Sequence, residues 1–147
     1  MSELISAEEY AAFLRGGEYF NAAHWSPLAP PRTGGDELLR RIGWSWALRH
    51  QPALGLSWYE AEAYARWRGG RLPLTNEARK ARTAWGIQVQ VAEWCFECYY
   101  PGAFGPYVRP EPPLRRRVEG WSASECLVPS MSNRSIGFRV VTGDFSA

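Results

Sequence analysis

Apolar positions recur at helical spacing through the first half of the chain and at a spacing of two from Trp85 onward. Ser6-Ala7-Glu8-Glu9 reads as a capping box: the Ser6 hydroxyl accepts from the Glu9 backbone N–H, and the Glu9 carboxylate accepts from that of Ser6. Ile5 stands where it can staple onto Tyr10. Tyr10, Phe13 and Leu14 share one helical face, and Gly16-Gly17 predicts the stop. Ser57-Trp58-Tyr59-Glu60 repeats the device for a second helix ending at Gly69-Gly70, with Trp58, Ala61 and Ala65 on one face and Tyr64 and Trp67 beside it. A third, shorter helix is predicted from near Thr75 through Arg82. Beyond it Ile87, Val89 and Val91 alternate with Gln88, Gln90 and Ala92, the pattern of a half-buried strand that carries Trp94 into the core. Residues 118–121 and 136–141 read as the last two strands. Pro27 to Gly35 and Tyr100 to Pro113 are rich in turn formers and read as loops within one domain spanning 1–147.

Composition narrows the classes. A chain of 147 residues is about one ordinary domain, long enough for its own core. Its formal net charge of +2 gives no general reason to expect nucleic acid as a partner. Nothing approaches the ~18 consecutive apolar residues of a membrane span, and the start MSELISAEEY lacks a basic stretch followed by an apolar one. The expectation is therefore a cytoplasmic or virion-associated protein with no membrane insertion. The eight tryptophans and seven tyrosines fill the core of a loop-rich fold or, in part, furnish a binding surface.

The chemistry-bearing residues are sparse. Cys95, Cys98 and Cys126 are an odd number and no disulfide framework, and one CxxC is a weak zinc signal. Residues three apart on a strand face opposite sides, so Cys95 and Cys98 are not expected to converge. His24 and His50 lie in loops and read as surface residues. Glu93 reads as the anchor of a hydrogen-bond network. No phosphate-binding glycine motif or nucleophilic-serine signature occurs. Arg115-Arg116-Arg117 alternate faces if they lie on a strand, and read as solvated.

Three stretches carry a family resemblance: QPALGLSWYEAEAYARWRGGRLP from Gln51 to Pro73, VAEWCFECYY from Val91 to Tyr100, and IGFRVV from Ile136 to Val141. In this order they resemble the formylglycine-generating-enzyme (sulfatase-modifying-factor) branch of the C-type-lectin fold. The resemblance implies an α+β fold, with two main helices packed on a small twisted antiparallel sheet in which 118–121 and 136–141 pair, and many loops. Departures matter as much. Ala78 and Lys80 stand where the family has tryptophan and tyrosine, which predicts a frayed or displaced third helix. The family's enzymes hold copper(I) with two cysteines near the end of the chain, whereas the corresponding stretch, 119–127, supplies Cys126 alone. Val89-Gln90 replaces the Gly-Asn pair next to the family's calcium ligands, and the histidine-rich helical domain of the iron-dependent relatives has no counterpart. No cofactor and no catalytic residue are expected.

The final segment, Pro129 to Arg139, resembles that of the variable proteins of diversity-generating retroelements, which use this fold and vary residues encoded by adenine-rich codons just before an IGFR stretch. Ser122, Ser124, Cys126, Ser130, Ser132, Asn133 and Ser135 fit such positions, while Trp121, Glu125 and Met131 would be fixed. With Tyr99, Tyr107 and Trp121 they form the expected ligand-binding face, small polar residues beside large rings, suited to a macromolecular ligand and above all a protein. The alternatives are a reduced formylglycine-generating-type oxidoreductase acting on a peptide cysteine, with Cys126 as metal ligand, and a structural or accessory domain. The identity of the ligand and the oligomeric state are left open.

Overall fold

The computed structural model describes residues 1–84, 92–99, 115–119, 125–127 and 136–142, with side chains at 1–81, 92–96 and 136–142. Helix α1 (Ala7–Arg15) begins with the predicted capping box, Glu9 N–H to Ser6 Oγ at 3.1 Å and Ser6 N–H to Glu9 Oε1 at 3.0 Å. Two single 3-10 turns follow, Glu18–Phe20 and Ala22–His24. Helix α2 (Gly35–Arg41) comes next, where sequence reading placed no helix. It has no side-chain N-cap, and its Gly34-Gly35 start looks like a turn. Asp36 and Glu37 in its first turn and Arg40 and Arg41 in its last complement the helix dipole.

Helix α3 (Trp58–Trp67) has its own capping box on Ser57 and Glu60 and is buried on every side from Trp58 to Ala65. Its Tyr64 stacks on Tyr10 of α1 at 5.6 Å between ring centroids and meets Phe13 and Phe138 edge-on. Such ring pairs add about 0.5–1.5 kcal/mol each beyond their buried area. Most tryptophans with described side chains serve this interior: Trp25, Trp58 and Trp94 are buried, Trp44 and Trp67 partly so, and Trp46 is exposed.

Strand β1 (Gly70–Arg71) leads to α4 (Thr75–Ala84), which runs ten residues and is a full helix, not the frayed one expected. The lost aromatic rings are offset locally. Ala78 is fully buried, Glu77 accepts from the Leu74 N–H at 2.8 Å, and the Arg71 guanidinium forks onto the Glu77 carboxylate at 2.7 and 3.1 Å. That hydrogen bond from Arg71 holds the Glu77 carboxyl below the usual range.

The principal sheet has the order β4-β3-β2-β5, formed by β2 (Ala92–Tyr99), β3 (Arg115–Glu119), β4 (Glu125–Leu127) and β5 (Ile136–Gly137). β2–β3 and β3–β4 are antiparallel, but β5 runs parallel to β2, with Ala92 opposite Ile136. Residues 136–141 are therefore not one strand, and the described Val118 and Glu119 pair with β2 and β4 instead. The N-terminal segment takes their backbone groups instead: Ile5 N–H donates to Phe138 O at 2.9 Å and Ser2 N–H to Val140 O at 2.8 Å. A short strand, β6 (Val141–Thr142), then pairs with β1. Within β2, four residue steps from Trp94 to Cys98 match two steps of β3, so a bulge breaks the simple alternation expected for Cys95 and Cys98. Residues 85–91, which carry the alternating Ile87, Val89 and Val91, lie outside the described residues.

Candidate functional site

The expected binding face falls largely outside the described residues: Tyr107, Trp121, Ser122, Ser124, Ser130, Ser132, Asn133 and Ser135 all do. Two of its members are placed by their backbones, Tyr99 at the end of β2 opposite Arg115, and Cys126 in β4 opposite Arg117. Leu127 and Ile136, the described residues that flank 128–135, sit in β4 and β5, the two outer strands of the four-stranded sheet.

β5 is rooted by a sealed polar contact. Arg139, two residues beyond it, donates from Nε to Glu93 Oε1 at 2.6 Å, and neither side chain is more than 2% exposed. Glu93 thus anchors a network, as its sequence context predicts. On the other face of this frame, Trp94 Nε1–H donates to Leu56 O at 3.0 Å and Trp58 Nε1–H to Cys95 O at 2.8 Å. These two indole bonds tie β2 to the start of α3.

The cysteines do not gather. Cys95 is buried, and its S–H reaches Glu93 O at 3.7 Å. Cys98 pairs with Arg116 of β3 while Cys126 pairs with Arg117 from the other side, so their backbones stand two strand spacings apart. That is about 10 Å, beyond the ~7 Å limit for a disulfide. The stretch corresponding to the enzymes' copper(I) site supplies Cys126 alone, and among the described residues no group of three or more His, Cys, Asp and Glu could hold a metal ion. His24 Nε2 lies 2.6 Å from Glu18 Oε2, a contact that lowers the Glu18 pKa, and His50 lies 3.3 Å from Glu8 at the surface.

A second polar assembly went unnoticed in the sequence. A cavity of about 230 Å³ opens beside the N-terminus of α3, lined by Tyr19, Trp25, Pro30, Pro31, Thr33, Arg41, Ser57 and Glu60. Glu60 is its hub. One carboxylate oxygen, Oε1, completes the capping box with Ser57 N–H at 2.9 Å; the other accepts from Tyr19 Oη–H at 2.8 Å and Arg41 Nη2 at 2.5 Å. Arg41 Nη2 also donates to Thr33 Oγ1 at 3.2 Å, and Thr33 N–H donates to Tyr19 Oη. Burial, reinforced by the Glu60 charge, pushes the Tyr19 phenol up to about 12. Gly55 permits this arrangement: its φ is +77° and a Cβ there would lie 2.4 Å from Arg41 O.

Residues 1–90 match the sulfatase-modifying factor enzyme 1-like domain, and the chain belongs to that family. The family contains both enzymes and non-enzymatic members. No curated protein matches the chain. Among the described residues, no helix is long and apolar enough to cross a membrane.

Proposed function

We propose that this chain is a non-catalytic binding protein of C-type-lectin fold, whose residues 122–135 form a variable surface for a macromolecular ligand, a protein. Tyr99, Tyr107 and Trp121 flank that surface and supply rigid apolar contact, while the serines and Asn133 supply adaptable hydrogen bonds. The observation that carries the reading is the fixing of both ends of 128–135 in the two outer strands of one sheet, with the Glu93–Arg139 pair beside the second end. Side chains held between rigid strands can change with little cost to folding.

The test has a genetic and a physical arm. DNA flanking the gene is expected to hold a reverse transcriptase and a near-copy of the 3′ segment that differs only at adenines. A displayed library randomised at Ser122, Ser124, Ser130, Ser132, Asn133 and Ser135 is expected to yield binders to unrelated proteins with unchanged melting temperatures. A library that unfolds or yields no binder overturns the reading. So does copper(I) retention that Cys126→Ser abolishes together with oxidation of a peptide cysteine.

A further inference from the structure

The cavity beside α3 has the makings of a second binding site, independent of residues 122–135. Its lining is mixed: Trp25, Pro30, Pro31 and the Tyr19 ring supply apolar wall, and the polar groups of Thr33, Arg41, Ser57 and Glu60 the rest. That guanidinium is incompletely used. Its hydrogen bonds to described residues all leave from Nη2, so Nη1 makes none, while the partnerless Nε is buried out of a guest's reach. The side chain is 21% exposed, so Nη1 and not Nε is the donor open to an acceptor. Ser57 adds to the imbalance: its Oγ accepts from Glu60 N–H, yet its own O–H donates to no described group. Two donors therefore line the cavity without a described acceptor, Arg41 Nη1 and the Ser57 O–H.

Charge points the same way. Arg32 packs its guanidinium 3.8 Å from the centroid of the Trp25 ring and donates to Pro30 O at 2.8 Å, so it is fastened to two of the cavity-lining residues. Arg32 and Arg41 against Glu60 leave one positive charge in excess. Tyr19, with its raised pKa, stays neutral through the physiological range and does not cancel it. One excess charge calls for a monoanion. The volume, about 230 Å³, is below the ~300–1,000 Å³ of sites for drug-sized ligands, which limits the guest to one ring or one side chain.

We propose that this cavity binds a single carboxylate carried on a small apolar or aromatic body, the carboxylate against Arg41 and Ser57 and the body against Trp25, Pro30 and Pro31. A free small acid and the C-terminal residue of a peptide share this chemistry. A phosphate dianion, with a second charge and no apolar part, fits neither the charge nor the walls.

Benzoate, benzamide, acetyl-Gly-Phe acid and its C-terminal amide distinguish the cases. Titrations followed by two-dimensional NMR are read at the Trp25 indole N–H. Saturable shifts with benzoate, about tenfold weaker with benzamide, are expected, since a charge-assisted hydrogen bond is roughly twice as strong as a neutral one. Preference for the peptide acid assigns the site to a chain terminus; preference for benzoate assigns it to a free acid. Arg41→Lys, which keeps the charge beside Glu60 but loses the planar fork, should weaken benzoate by about tenfold. Should that variant fail to fold, Arg32→Ala removes the excess charge without touching Glu60, and should weaken benzoate severalfold, most at low salt. Absence of saturable shifts, or equal affinity for acid and amide, overturns the proposal, as does unchanged binding in the folded variants.

Discussion

Two carboxylate–guanidinium pairs lie at the heart of this molecule and differ in one respect. Glu93–Arg139 is sealed, with side chains 1% and 2% exposed, whereas Glu60–Arg41 borders a cavity and leaves Arg41 21% exposed. Burial raises the cost of any charge left unpaired, so a sealed pair is committed to its geometry. A pair beside a cavity can exchange partners with water or a guest. The same chemistry therefore serves as frame in one place and as a receptive group in the other.

The sealed pair should be the more costly to break. Arg139→Met leaves the Glu93 carboxylate buried without its guanidinium and should cost about 3–5 kcal/mol by denaturant unfolding. Replacing both members, with Glu93→Met added, should recover part of the loss, because no uncompensated charge remains. A cost below that of the equivalent change at Arg41 would break the contrast.

Gly55 tests the open pair through the backbone. Its left-handed φ of +77° and the 2.4 Å approach of a Cβ to Arg41 O leave no room for Gly55→Ala without moving α2. The expected cost is about 2–3 kcal/mol. A thermal melt unaltered within error would mean that Arg41 is not held by this contact.

Arg41→Met removes the open pair itself and should cost less, about 1–2 kcal/mol, because Glu60 keeps the bonds from Tyr19 and Ser57 and water can enter the cavity. The two methionine variants, measured side by side, give the comparison its sharpest form: Arg139→Met should exceed Arg41→Met by at least a factor of about two.

The contrast also separates what could be read from the sequence from what could not. Ser57 and Glu60 were legible as a capping box because the signal is local, four residues in a row with a fixed geometry. The second role of Glu60 was not, since its partners Tyr19 and Arg41 are distant along the chain and neither occurs in a recognisable motif. Glu93 was legible as a structural anchor, but its partner, 46 residues away, was not. The same limit explains the strand errors. The period of two says that a segment is extended; it does not say that the N-terminus will capture the backbone of Phe138 and Val140. Helix α2 was missed because it lacks a side-chain cap, and α4 was expected to fray or shift because Ala78 and Lys80 replace the family's rings, while its stabilising partner, Arg71, lies outside the helix. The family frame was legible through its motifs, and the cavity, built from five separate stretches of chain, was not.

The smallest effect concerns how the open pair responds to pH. Tyr19→Phe removes one hydrogen bond to Glu60 and should cost about 1 kcal/mol at neutral pH. At alkaline pH the difference should shrink. In the unfolded chain the phenol ionises near its ordinary value of about 10, whereas in the folded protein burial and the Glu60 charge hold the proton up to about 12. Between those values the folded state binds more protons than the unfolded one, so wild-type stability falls as pH rises through this window. The phenylalanine variant lacks that contribution, and the raised pKa values of Tyr10 and Tyr64 cancel when the two proteins are compared. Denaturation midpoints measured from pH 8 to pH 12 should therefore converge as pH passes about 10 and cross before pH 12. Curves that stay parallel would place the Tyr19 phenol in water, and the cavity polar network would then be far more open than its hydrogen bonds imply.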